Sequence, residues 1–456
     1  MSAAEATAPR VETLLASEAC ERFAFCGMAS VLVLYLNAHL LHPERDATAG
    51  YHAFLAAAHL APVVGGWISE RVLGRRRTVL AAAALYVVGL AVIAAWESRA
   101  GLLLGISMVV LGVGGARPGL SAYVADRVRA ADAPLRRRLG GALLAVVKLA
   151  AAASALAVPA LFATSGPRAA LALPALAMAL ALFTLRRGTT RHVGPAPSGP
   201  DPHGFARVVV HAVSRLGTGH PGQRWLDLAR DVHPADAVEG AQAVLRTAGV
   251  LAAATLFWAL FDQRGSSWVF QARQMGLTVA GRQLSPAQLQ ALEPLLVLAL
   301  VPLLRSVVFP LLERRGIALP PLRKMSAGMF ATALSFAAAA IVQAAIDGGR
   351  APHALWQLPQ HVLLAGGEVL VAITGLELVT ARVPRAMRST VLALWAMSGS
   401  LGNLLTAVIT KLVRLEGAAY FWLFAALMLA ASIGFHVRSR ARFAGPAKVP
   451  ARERHG

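Results

Sequence analysis

Apolar stretches of about 20 residues, set apart by short polar or basic loops, recur from Leu14 to Val437. In hydrocarbon a stretch of that length has one workable conformation, the α-helix, because every backbone N–H and C=O must find its partner within the segment. The 456 residues leave room for about twelve such helices and predict an all-α membrane protein. With 57 % hydrophobic and only 15 % charged residues, the chain does not read as a soluble enzyme. The net charge of +21 invites a nucleic-acid reading, which fails because the basic residues sit in the loops between apolar runs. Roughly 30 Lys and Arg fall on the side of the N-terminus and roughly 8 on the other, the positive-inside pattern. Both termini are therefore expected in the cytoplasm, with the chain integral to a plasma (inner) membrane. The opening residues 1–13 are too short and too polar for a signal peptide, so the first helix is expected to be retained. Cys20 and Cys26 share that helix and cannot bridge each other.

Charge inside the first apolar run points to function. Glu18, Glu21 and Arg22 stand at i, i+3 and i+4, on one helical face, and the next basic residue is Arg45. Ionisable groups at membrane depth are costly unless they face protein or water, so they mark a functional path by default. The bland reading is that Glu21 and Arg22 neutralise each other at the headgroup level. A titratable carboxylate pair beside a fixed cation is what a proton-coupled carrier needs.

The string Glu18-Ala19-Cys20-Glu21-Arg22-Phe23-Ala24-Phe25-Cys26-Gly27 resembles the first-helix signature of the proton-dependent oligopeptide transporters of the major facilitator superfamily. Further matches follow. Trp67 to Thr78 resembles the superfamily's loop between helices 2 and 3, with Glu70 where an Asp is usual and Arg71 and Arg75 as its basic partners. There an acid can cap a neighbouring helix and the arginines lock an inner gate. Gly112 to Gly119 resembles the family's G-x-G-G-x-K-P, with Arg117 for the Lys; Phe257 to Gln263 looks like the animal-type members; Gly366 to Val369 resembles G-E-V.

The resemblance implies two six-helix bundles, 14–185 and 241–438, between a tail 1–13, a cytoplasmic linker 186–240 and a basic tail 439–456. Helix 5 is expected from about Leu139 and helix 7 from about Gln242 to Phe270, with a surface helix near Gln223–Arg230. It also implies a monomer that imports di- and tripeptides with protons, using no cofactor or metal. Arg22 and Arg117 would bind the peptide carboxylate and Glu368 its amine; Glu18 and Glu21 would hold Arg22 when ionised and release it when protonated. His52 aligns with a proton-relay histidine, His59 with a tyrosine of the site, and Trp258 with its wall. Asp262 and Arg246 join Glu70, Arg71 and Arg75 as gate residues. Several positions depart from the pattern. Ala29 replaces a gate arginine, so Asp262 needs another partner, for which His52 is the candidate. Phe25 and Cys26 replace tyrosines, and Lys148 and Glu293 replace asparagines, which suggests an ion pair between the halves. Rival cargoes are another small polar metabolite or a peptide-like compound, and a sensor that no longer transports is a further alternative. No H-E-x-x-H or G-x-S-x-G motif supports a membrane enzyme.

Overall fold

The computed structural model describes residues 11–130, 132–188, 201–218, 223–317 and 319–443. The expected tails fall almost wholly outside the described residues, as do parts of the linker. Among the described residues, eleven stretches are long and apolar enough to cross a membrane. They are α1 (Val11–His39), α2 (Glu44–Arg71), α3 (Arg75–Ala95), α4 (Arg99–Asp126), Pro134–Gly188, α7 (Ala235–Arg273), α8 (Pro286–Arg314), α9 (Pro321–Asp347), α10 (Ala354–Ala381), α11 (Arg385–Leu412) and α12 (Gly417–Ser439). Pro134–Gly188 is two helices, α5 over 134–165 and α6 over 167–188, broken where Gly166 takes φ 81° just before Pro167. The expected twelve helices are therefore present.

Local chemistry sets the ends. Gly74, at φ 76°, turns the chain between α2 and α3 in a conformation that a side chain resists. Ser285 and Gln288 form a capping box that opens α8, and Glu44 and Asp46 place negative charge in the first turn of α2. A Cβ on Gly65 would lie 2.0 Å from the carbonyl oxygen of Gly114, so α2 and α4 cross with their backbones in contact.

The helices form two bundles, α1–α6 and α7–α12. One core packs around Met28, Tyr35, Tyr86, Leu90 and Met178, the other around Phe257, Trp268, Phe336, Phe424 and Met428. Large side chains such as Leu103, Leu111, Leu176, Leu401 and Ile433 face outward, as lipid-facing positions should.

The linker differs from expectation. A helix at Phe205–Ser214, which was not foreseen, packs Val208 and Ala212 against Leu226, Ala229, Val238 and Ala241. The expected surface helix is a 3-10 turn at Trp225–Ala229, and α7 starts at Ala235 instead of Gln242. This small core is made by one apolar face of Phe205–Ser214, with Val208 and Ala212 one turn apart, which a scan for 20-residue spans passes over. Helix α5 likewise begins earlier than Leu139, because the arginines before that residue continue the helix past its apolar part.

Candidate functional site between the two bundles

The site begins on α1. Glu18 and Glu21 are 4 % and 1 % exposed and point at α4, where Arg117 donates from Nε and Nη2 to Glu21 Oε1 at 3.1 and 2.8 Å. Ser121, one turn further along α4, donates to Glu18 Oε1 at 3.3 Å. The expectation that the two acids hold Arg22 is thus corrected: Glu21 holds Arg117. Arg22 follows Glu21 by one residue, about 100° around the helix, which turns its side chain away from Glu21's contact with α4 and onto a cavity wall. Its Nε is buried without a hydrogen-bond partner. The Arg117 guanidinium also lies 4.2 Å from the centre of the Phe25 ring, so the residue that replaces a family tyrosine gives a cation–π surface.

This cavity, about 280 Å³, lies between the bundles. Arg22, Arg117 and Lys148 line it from one side, Trp258, Glu293 and Glu368 from the other, with His59 and Cys26. Lys148 Nζ on α5 reaches Glu293 on α8 at 2.9 Å and both carboxylate oxygens of Glu368 on α10 at 2.8 Å. The two residues singled out as charged replacements are therefore an ion pair across the halves, and Glu368 is its third member. Glu368 stands directly before a π-helical turn, Val369–Ile373, of the kind that often re-aims a side chain at a functional position. His59 donates from Nδ1 to Leu55 O of its own helix, 2.8 Å away, while its ring sits 6.0 Å from that of Trp258.

Asp262 does not meet His52. Asn403 on α11 stands between them: its Nδ2 donates to Asp262 Oδ2 at 2.7 Å and its Oδ1 lies 2.8 Å from His52 Nδ1. His52 Nε2 is 2.9 Å from Ser266 Oγ. The charged partner of Asp262 is Arg264, at 3.3 Å, whose Nε is also 3.7 Å from Glu293. Arg264 was missed by sequence reasoning, although a cation two residues from a buried acid within an apolar span was a signal. It supplies to this cavity a guanidinium that Ala29, which also lines it, does not.

The bundles are also tied at the end away from the linker. Arg273 on α7 bonds Asn37 Oδ1 at 2.7 Å and pairs with Glu44, and Lys411 on α11 pairs with Asp46 at 2.6 Å. At the linker end, Glu70 is exposed at the tip of α2 and the acid that meets Arg75 is Asp126 of α4, not Glu70. The chain turns at Gly74 before Arg75, which aims that guanidinium across α3 toward α4. Arg71 and Arg246 also lie at this end, away from the cavity.

Comparison with known proteins gives one answer. The POT family matches residues 76–423. Solute carrier family 15 member 2 of Rattus norvegicus is 30 % identical over 384 residues, 79 % of this chain and 53 % of that protein. Peptide transporter 3 of Caenorhabditis elegans is 30 % identical over 74 % of this chain and 51 % of its own length. The chain thus spans about half the length of the curated relatives it matches. Among solved structures, the POT family transporter PepTSo is 30 % identical with a TM-score of 0.88, covering 95 % of this chain and 98 % of that one. An auto inhibited POT family peptide transporter is 28 % identical with a TM-score of 0.87, covering 97 % and 98 %.

Proposed function

Since the chain belongs to the POT family, we propose that it is a proton-coupled symporter that carries di- and tripeptides by alternating access. One observation carries the reading: a cavity between the two bundles takes Arg22, Arg117 and Lys148 from one half and Asp262, Glu293 and Glu368, with Arg264, from the other, and Lys148 is bonded across it to Glu293 and Glu368. Opposite charges on opposite halves let a ligand alter how strongly the halves attract, which rocking transport requires. Arg22 and Arg117 receive the peptide carboxylate, and Trp258 and His59 wall its side chains. Glu18 and Glu21 take the protons, and neutralising Glu21 frees Arg117 from its ion pair. One proton moved through about 100 mV supplies about 2.3 kcal/mol for the cycle. The Asp262–Asn403–His52 chain and the Arg273 and Lys411 pairs close one gate; Arg75, Arg71 and Arg246 act at the other, with Glu70 as an exposed neighbour.

The excess of Lys and Arg at the linker end supports a cytoplasmic linker and termini in an inner membrane. No cofactor enters this cycle, and a carrier role leaves no bond-making chemistry to assign. That relatives are peptide transporters supports the cargo. The test is uptake of radiolabelled Ala-Ala into liposomes that hold the purified chain. An imposed inward proton gradient should drive accumulation, and a protonophore should abolish it. Entry that ignores the gradient would refute coupling, and no entry of any small peptide would refute the cargo.

A further inference from the structure

Every carboxylate that lines the cavity is already engaged. Both oxygens of Glu368 accept from Lys148 Nζ at 2.8 Å. Glu293 gives one oxygen to Lys148 at 2.9 Å, and its other lies 3.7 Å from Arg264 Nε. Asp262 is divided between Arg264, at 3.3 Å, and the Asn403 amide, at 2.7 Å. The donors differ. Arg22 faces the same cavity with its Nε buried and unpartnered, and a buried donor left without an acceptor costs about 1–3 kcal/mol. The cavity therefore calls for an acceptor and offers no free carboxylate.

We propose that Lys148 is a resident substitute for the amino group of the ligand, and that the site takes peptide-like carboxylates whose amino end is blocked or absent. The proposal rests on reading this cavity as the substrate site. A ligand ammonium arriving at Glu368 must displace an ammonium of the same chemistry that is tethered to α5 at high effective concentration, so it gains little. A ligand carboxylate meets no such competitor at Arg22, which lines the cavity and, among the described residues, has no carboxylate at ion-pair distance, so a charge-assisted bond there is new. Glu21, behind the wall, already pairs with Arg117, which leaves Arg22 as the principal seat for a ligand carboxylate.

Calorimetric titration of the purified full chain with Ala-Ala, N-acetyl-Ala-Ala and Ala-Ala amide tests this. The acetylated dipeptide should bind at least as tightly as Ala-Ala, and the amide, lacking the carboxylate, about tenfold or more weaker. In Lys148→Gln, which vacates Glu368, the preference should invert toward the free amine by about tenfold or more. Tighter binding of Ala-Ala than of its acetyl form by the unaltered protein overturns the proposal, as does indifference to amidation, whether or not the variant folds. If Ala-Ala wins and its uptake is proton-driven, this inference falls and the transport reading stands; if no dipeptide binds or enters, both fall.

Discussion

Arg117 sends two N–H donors, from Nε and Nη2, to the same oxygen of Glu21, and the second oxygen of that carboxylate is buried with no partner. In the structure the carboxylate fixes the α4 guanidinium; on the proposed cycle, a proton placed on the unpartnered oxygen would end that ionic attraction. Removing it altogether, in Glu21→Ala, leaves a largely buried cation unpaired and should destabilise the protein by about 3–5 kcal/mol, read from thermal unfolding in detergent. Glu21→Gln keeps the shape and loses the proton. It should still exchange labelled for unlabelled substrate across the liposome membrane, while accumulation against a gradient is lost. Continued proton-driven accumulation by the Gln variant would remove Glu21 from the coupling path.

The pairs at the end away from the linker predict a different outcome. Lys411 and Asp46 are 51 % and 36 % exposed, so water screens their attraction. Pairs of this kind are worth about 0–1 kcal/mol each, too little to hold a fold but enough to tilt two conformers. Arg273→Ala combined with Lys411→Ala should leave the unfolding temperature nearly unchanged. Cys26 lines the cavity and Cys20 is the other cysteine of the chain, so a Cys20→Ser background isolates a native probe. A membrane-impermeant maleimide added on the side away from the linker should then label Cys26 faster in the double variant. Equal labelling rates would mean that these pairs do not hold the gate.

The linker should respond to pH. His233 is 4 % exposed and both its ring nitrogens are engaged, Nδ1 with His203 at 3.0 Å and Nε2 with His211 at 2.7 Å. Burial first, then His211, His203 and Arg207, hold its pKa below the usual 6.5. Between that lowered value and 6.5 the unfolded linker binds more protons than the folded one, so folded stability rises with pH across the interval. The packing of Phe205–Ser214 on Ala235–Arg246 should be complete above 6.5 and weaken as pH falls below it. Hydrogen exchange at about pH 7.5 and about pH 5.5, corrected for intrinsic rates, should show faster exchange in these two segments alone at the lower pH. His233→Gln should flatten the difference; an unchanged difference would place the sensitivity elsewhere.

Much of this was legible in the sequence, for reasons particular to residue type. Membrane spans announce themselves because lipid demands continuous apolar helix, and the charges of Glu18, Glu21, Arg22, Lys148, Glu293 and Glu368 stood out against that background. That Lys148 and Glu293 meet was inferable from their opposite signs. Which donor an acid chooses was not. The sequence neighbour of Glu21 is Arg22, yet a difference of about 100° per residue on the helix gives that bond to Arg117, 96 residues away. Asn403 escaped notice because a neutral amide in an apolar run resembles ordinary interhelical glue, although here it joins His52 to Asp262. The helix at Phe205–Ser214 escaped because it is too short to be a span.

The bare contact of Gly65 with Gly114 has a mechanical consequence. With no side chain between them, α2 and α4 touch backbone to backbone at this point. Helix α4 carries Arg117 and Ser121, which touch the acids of α1, and α2 carries His52, which touches Asn403 of the other bundle. On the proposed cycle, a displacement of α4 at Glu21 would meet α2 directly here, which makes this crossing the fulcrum between the acids of α1 and the distant contact at His52.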